Sequence, residues 1–213
     1  MRGSTHGRRI ALLSGIYVIV NDGPRALSIA RAALDAGVRI IQYRAKRGID
    51  AEHLRTLRGM TQDALLVLND DWRSAKTFGC DGAHLGPGDD GFDDASRVRS
   101  AWPDGIIGIS CANERDAHAA ERGGVSYLGV GSVYATASKA DAGAPIGIEG
   151  LRRVAAATHL PVAAIGGITE ANLAEVRRSG VAMAAVIGAV AEASDPRAAA
   201  CRLVEIWQGS RSA

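Results

Sequence analysis

The chain has 213 residues, 47% of them hydrophobic but only 4% aromatic, and a formal net charge of +2. That length and apolar content give one domain with a sizeable core and argue against disorder, and a core so poor in aromatics must be built from Val, Ile, Leu and Ala, which suits parallel strands buried on both faces. The charge is too balanced, and no Lys/Arg run exceeds two residues, so nucleic-acid binding is not indicated.

Residues 1–9 (MRGSTHGRR) are polar and basic and read as a tail, disordered or an added extension. The apolar stretch 10–20 lacks an A-x-A-like cleavage site and runs into YVIVND, so it reads as a first strand over 16–20 rather than as a signal peptide. From there short β-branched runs alternate with stretches of helical spacing. Strands are predicted at 16–20, 38–42, 65–69, 82–85, 106–110, 127–131, 162–165 and 184–187. Helices are predicted at 25–36, 51–62, 113–122, 148–158, 170–179 and 196–208, with weaker signals at 72–78 and 93–101. Several helices stop at glycine (Gly37, Gly79, Gly123, Gly180) just before the next strand.

Eight βα units on a chain of this length predict a (β/α)8 TIM barrel in one domain over residues 10–213. The alternative, an open doubly wound sheet, normally has fewer units, and the G-x-G-x-x-G of its dinucleotide-binding form is missing after the first strand. Residues 134–147 form the longest stretch without periodicity and read as a lid or binding loop. The alanine-rich segment 181–193 is too short to span a bilayer. Three widely spaced cysteines, Cys80, Cys111 and Cys201, support neither a disulfide framework nor a zinc site, so a reducing, cytoplasmic setting without membrane attachment is expected.

A barrel carries its chemistry at the C-terminal ends of its strands. There the second predicted strand delivers Gln42, Arg44 and Lys46, which alternation points the same way. Two neighbouring cations suit a pyrophosphate, although solvated surface positions would look the same. Asn69 and Asp70 end the third strand, and Asp89 follows the fourth. Each Asp fits either a helix cap or, taken with the other and the nearby cations, a Mg²⁺ ligand. Asp71 fits the cap before Trp72. His84 reads as a core histidine or a catalytic one, and the other histidines as tail or helix-face residues. Ser110 ends the fifth strand. Glycines closing the last two strands, in AIGGI and AVIGAV, fit a phosphate cradle whose backbone N–H groups a ligand can approach closely, or plain tight turns.

Taken in order, GVRIIQYRAK, LVLNDDW, CDGAHLGPGD, IIGISCAN, YLGVGSVYATASKADAGAPIG, PVAAIGGI and AAVIGAV resemble thiamine phosphate synthases over nearly the whole chain. The resemblance implies a transferase of thiamine biosynthesis that joins hydroxymethylpyrimidine pyrophosphate to a thiazole phosphate. It implies that Gln42, Arg44, Lys46, Asn69, Ser110 and Lys139 hold the pyrimidine diphosphate, with Arg44, Lys46 and Lys139 catalytic. It further implies Mg²⁺ on Asp70 and Asp89, and the thiazole phosphate on Thr136, Ser138, Gly167, Ile187 and Gly188. A homo-oligomer is compatible with all of this. Two departures stand out: Gly188 occupies a position where many relatives carry Ser, and Ser138 replaces a frequent Thr. Ala112 stands near the point where a related thiazole tautomerase branch relies on His, which argues against that activity. A non-catalytic ligand-binding barrel is the third reading.

Overall fold

The computed structural model describes residues 5–136 and 144–209. Its strands are β1 (Gly15–Asn21), β2 (Ile40–Arg44), β3 (Leu65–Asn69), β4 (Gly82–Leu85), β5 (Ile106–Cys111), β6 (Tyr127–Val130), β7 (Val162–Ile165) and β8 (Met183–Val186). The helices are α1 (Thr5–Ile10), α2 (Ala26–Asp35), α3 (Ala51–Met60), α4 (Trp72–Thr77), α5 (Ala95–Ala101), α6 (Glu114–Arg122), α7 (Gly147–Ala156), α8 (Leu173–Arg178), α9 (Gly188–Ala191) and α10 (Pro196–Gln208). Neighbouring strands pair in parallel in chain order and β8 returns to β1, so the sheet closes as an eight-stranded barrel. No helix among the described residues is long and apolar enough to cross a membrane.

Alternation along the strands divides the core into two layers. Outward residues such as Val18, Ile41, Leu66, Ile107 and Leu128 pack against the helices in one cluster. Inward residues, among them Tyr17, Ile19, Ile40, Leu65, Val67, Ile106, Tyr127 and Met183, fill the lumen in a second. Five of the helices start where short polar side chains take up orphan N–H groups: Asp50, Asp71, Asp94, Asn113 and Asp195 each accept from the first turn of the helix they precede. Each such cap contributes about 1 kcal/mol.

The lumen also carries a line of polar groups. Gln42 donates to the Tyr17 hydroxyl (2.6 Å), which lies 2.9 Å from that of Tyr127. The Tyr127 hydroxyl meets His84 Nδ1 at 3.1 Å, and His84 Nε2 meets Ser110 Oγ at 3.2 Å. Room for the two rings comes from missing side chains. A Cβ on Gly108 would lie 2.2 Å from the Tyr127 ring, and one on Gly129 would lie 2.7 Å from the His84 ring.

The N-terminal segment departs from the expected disordered tail. From Thr5 it forms α1, and Ile10, Leu12 and Leu13 cover the N-terminal end of the lumen. Arg9 pairs with Asp81 at 2.9 Å, and the same nearly buried carboxylate also accepts from Arg58 (2.5 Å) and from the Leu66 N–H (2.9 Å). An open lumen end needs an apolar cover, and a buried carboxylate needs cations. Six helical residues are too few to show that in a periodicity, and β1 accordingly begins at Gly15 rather than extending the apolar run.

Gly108→Ala is expected to destabilise the barrel by about 1–3 kcal/mol through overpacking against Tyr127, lowering the thermal midpoint by roughly 2–12 °C. Thermal unfolding followed by circular dichroism measures this, and an unchanged midpoint would contradict the packing described.

Candidate active site

The parity that sends Tyr17, Ile19, Ile40 and Gln42 into the lumen sends the next inward residues, Asn21 and Arg44, to its C-terminal mouth. They are partners in the β1–β2 register, and the Arg44 guanidinium donates to Asn21 Oδ1 at 3.1 Å. Asn69 ends β3 opposite His84 in the same way. Asn21, Asp22, Gly23, Arg44, Lys46 and Arg47 line a cavity of about 430 Å³ at this mouth. Three of those six residues are cations, so the cavity favours an anion.

The two carboxylates read from the sequence as caps or metal ligands are not caps. Each belongs to an Asp-Asp doublet, and in each doublet the second Asp does the local structural work. Asp71 caps α4, accepting from Ser74 N–H at 2.9 Å. Asp90 accepts from Trp72 Nε1 (3.0 Å) and pairs with Arg73 (3.2 Å) and Arg97, fixing the β4–α5 loop to α4, while Asp94 caps α5. Asp70 and Asp89 are left facing one another at the mouth. Asp70 adopts a left-handed φ of 69°, a conformation Asp tolerates better than most residues. Its N–H donates to the His84 carbonyl (2.8 Å) and its carboxylate pairs with Lys46 at 2.5 Å. Asp89 accepts from the Gly86 N–H at 2.6 Å.

Burial pushes the Asp89 carboxyl above the usual range, and the Asp70 carboxylate beside it pushes the same way, against the Gly86 N–H and the Lys46 ammonium. Two hard oxygen donors with surplus negative charge are what a divalent cation would satisfy. Among the described residues no group of three or more His, Cys, Asp or Glu side chains could hold a metal. Two carboxylates alone nonetheless suit Mg²⁺, which usually takes one or two with waters and substrate oxygens completing its shell. The residues therefore fit that ion.

Ser110 reaches the same region from β5. A side chain on Gly86 would stand 3.5 Å from Ser110 Oγ and 3.6 Å from Asp89 Oδ2. His84 is not an isolated core histidine; it links Tyr127 to Ser110. Burial pushes the thiols of Cys80 and Cys111 up to about 12 and about 11, so neither is a ready nucleophile.

Across the mouth, Gly167 has a φ of 66°, and a Cβ there would strike the Ala135 carbonyl at 2.5 Å. The glycine is thus required by the loop leaving β6, which it holds close and which brings Thr136 toward β7. Asn172 folds back onto this turn, donating to the Gly167 carbonyl (2.9 Å) and accepting from the Thr169 N–H (2.8 Å). Ile187 precedes Gly188, the first residue of the four-residue helix α9, with no side-chain cap on its N–H groups. Ser138 and Lys139 lie outside the described residues. Sequence reading missed Asn21, Asn172 and the tyrosine pair; the inward parity of Tyr17 and Asn21 with Ile19 was the available signal for two of them.

A raised Asp89 means that folding disfavours its ionised form. Below the ordinary carboxylate range it is protonated in folded and unfolded chains alike, and stability is lost as pH rises through its raised folded value. Asp89→Asn is therefore expected to raise the thermal midpoint of the metal-free protein by a few degrees at pH 7.5, with the gain vanishing near pH 4. A gain that persists at acid pH, or a loss at pH 7.5, would count against this account of the carboxylate pair.

A family profile described as thiamine monophosphate synthase matches residues 16–190. A thiamine-phosphate synthase of Archaeoglobus fulgidus is 44% identical over 190 residues, covering 86% of this chain and 88% of that one. One from Moorella thermoacetica is 39% identical, with 92% and 97% covered. Among solved structures, the thiamine phosphate pyrophosphorylase of Pyrococcus furiosus superposes with a TM-score of 0.83 at 35% identity, covering 95% of this chain and 98% of that one. A 3-hexulose-6-phosphate synthase shares the fold alone, at TM-score 0.71 and 18% identity. The chain belongs to the thiamine monophosphate synthase family.

Proposed function

We propose that this transferase moves the hydroxymethylpyrimidine group from its pyrophosphate to a thiazole phosphate, giving thiamine phosphate and pyrophosphate, with Mg²⁺ and by a dissociative displacement. The observation that carries the reading is the gathering of Arg44, Lys46, Asp70 and Asp89 at one mouth of the barrel, both carboxylates free of capping duty. Family membership and the names of the relatives support the identity of the substrates.

In this reading Gln42, Arg44, Lys46, Asn69, Ser110 and Lys139 hold the pyrimidine diphosphate. Thr136, Ser138, Gly167, Ile187 and Gly188 hold the thiazole phosphate, with backbone N–H groups of the β7 and β8 turns serving the anion. Asp70 and Asp89 would hold Mg²⁺, which when bound supplies positive charge to the diphosphate oxygens. Arg44, Lys46 and Lys139 supply the rest, stabilising charge that grows on the leaving group as the C–O bond breaks and its electron pair stays with pyrophosphate. The electron-rich aminopyrimidine carries the cation left on the methylene carbon. The thiazole nitrogen then forms the C–N bond with its lone pair, held close by the phosphate cradle. No protein nucleophile or strong base is needed, in keeping with buried cysteines and a His84 engaged in the lumen.

Mixing both substrates with the protein and Mg²⁺ is expected to give thiamine phosphate and pyrophosphate in equal amounts, and chelating the metal is expected to stop the reaction. Folded protein that forms neither product would sink the proposal. Asp89→Ala is expected to lower turnover by at least about 10²-fold with an unchanged far-UV spectrum; near-normal activity would refute its metal role.

A further inference from the structure

Beside the cationic cavity lies a second polar cluster that the reaction above does not use. Asp22 follows β1 directly and helps to line the cavity. Tyr43 faces outward from β2, and its hydroxyl donates to Asp22 Oδ1 at 2.6 Å. His53, on the first turn of α3, places Nδ1 3.0 Å from the same oxygen and 3.8 Å from Asp50 Oδ2. Asp50 closes the arrangement: its side chain stands beside His53 and caps α3. The loop between Arg44 and Asp50 is therefore fastened at both ends. Lys46 is tied to Asp70 at one end, and Asp50 is tied through His53 to Asp22 at the other.

This fastening has an electrostatic side. Asp22 contributes a negative charge to a cavity otherwise lined by Arg44, Lys46 and Arg47, and that charge opposes an anionic ligand. The Tyr43 hydroxyl and then His53 hold the Asp22 carboxyl below the usual range, so it stays ionised. Asp22 above all, with Asp50 and Glu52, holds the His53 imidazole above its ordinary value. A protonated His53 cancels the Asp22 charge and keeps its carboxylate turned toward Tyr43. A neutral His53 can keep the hydrogen bond but leaves the charge uncompensated.

We propose that His53 is a positioning residue for the diphosphate: it neutralises and orients Asp22 and, with Tyr43, sets the loop carrying Lys46 and Arg47, so that a diphosphate binds more tightly when His53 is protonated. The inference rests on reading this mouth as the diphosphate site. Affinity is then highest below the His53 pKa and falls as pH rises through it.

The test is calorimetric titration of inorganic pyrophosphate, at constant free Mg²⁺, into the wild type, His53→Gln and the double variant Asp22→Asn/His53→Gln between pH 6 and pH 8.5. Ratios of variant to wild-type Kd cancel the titration of pyrophosphate itself. His53→Gln is expected to bind about two- to fivefold more weakly at pH 6, the range for a partly exposed ion pair, and to converge on the wild type at pH 8.5. The double variant, with no charge to neutralise, is expected to bind within about twofold of the wild type at pH 6. A ratio for His53→Gln that stays constant with pH, as a merely structural defect would give, overturns the proposal, and so does a double variant as weak as the single one. A wild type that binds no pyrophosphate overturns the diphosphate site and this inference with it.

Discussion

Closure of the sheet imposes one parity on all eight strands, and the rest of the molecule follows from it. Each strand sends alternate residues to the lumen and to the helices, and the shared register leaves no strand free to slip. Ile, Leu and Val in the inward positions fill the lumen from below. Two residues further along, the same positions carry Arg44 after Gln42 and Asn21 after Ile19, so the mouth of the barrel is the top layer of its own core. The polar line from Gln42 through the tyrosines and His84 to Ser110 lies within this stack, and side chains are missing at Gly108 and Gly129 where the rings need the space.

The electrostatics of the mouth come from a division of labour between neighbours. In both Asp-Asp doublets the second carboxylate makes the local structural contacts, and in the second doublet Asp89 is held where folding alone does not favour its charge. That arrangement costs stability in the empty protein and is the usual sign that a carboxylate is kept for a ligand. Lys46 offsets part of the cost by pairing with Asp70. The mouth thus sets a cation-rich cavity beside a carboxylate pair, joined by the Lys46–Asp70 contact.

Much of this was legible in the sequence, for identifiable reasons. β3, β4 and β7 have the limits that their short apolar runs predict, because turn residues bound those runs on both sides. The site residues on β2 and β3 could be found because strand parity is a local rule. What escaped depended on contacts distant in sequence. α1 is fastened by Asp81, more than seventy positions on, and six residues show no period. α9 is a single turn. The competition between cap and ligand at Asp70 and Asp89 could not be decided without seeing Asp71 and Asp94 take the caps. His53 looked like an ordinary helix-face histidine, because its partner Asp22 belongs to another strand end.

We propose that Asp70, Asp89, Arg44 and Lys46 together hold a metal and a diphosphate at the mouth, with Lys46 joining the two sets through its pair with Asp70. A crystal structure of the protein grown with Mg²⁺ and pyrophosphate tests it most directly. The account predicts the metal between Asp70 and Asp89, and the diphosphate oxygens shared between that metal and the side chains of Arg44 and Lys46. A metal held elsewhere, or pyrophosphate bound away from these four residues, would contradict it.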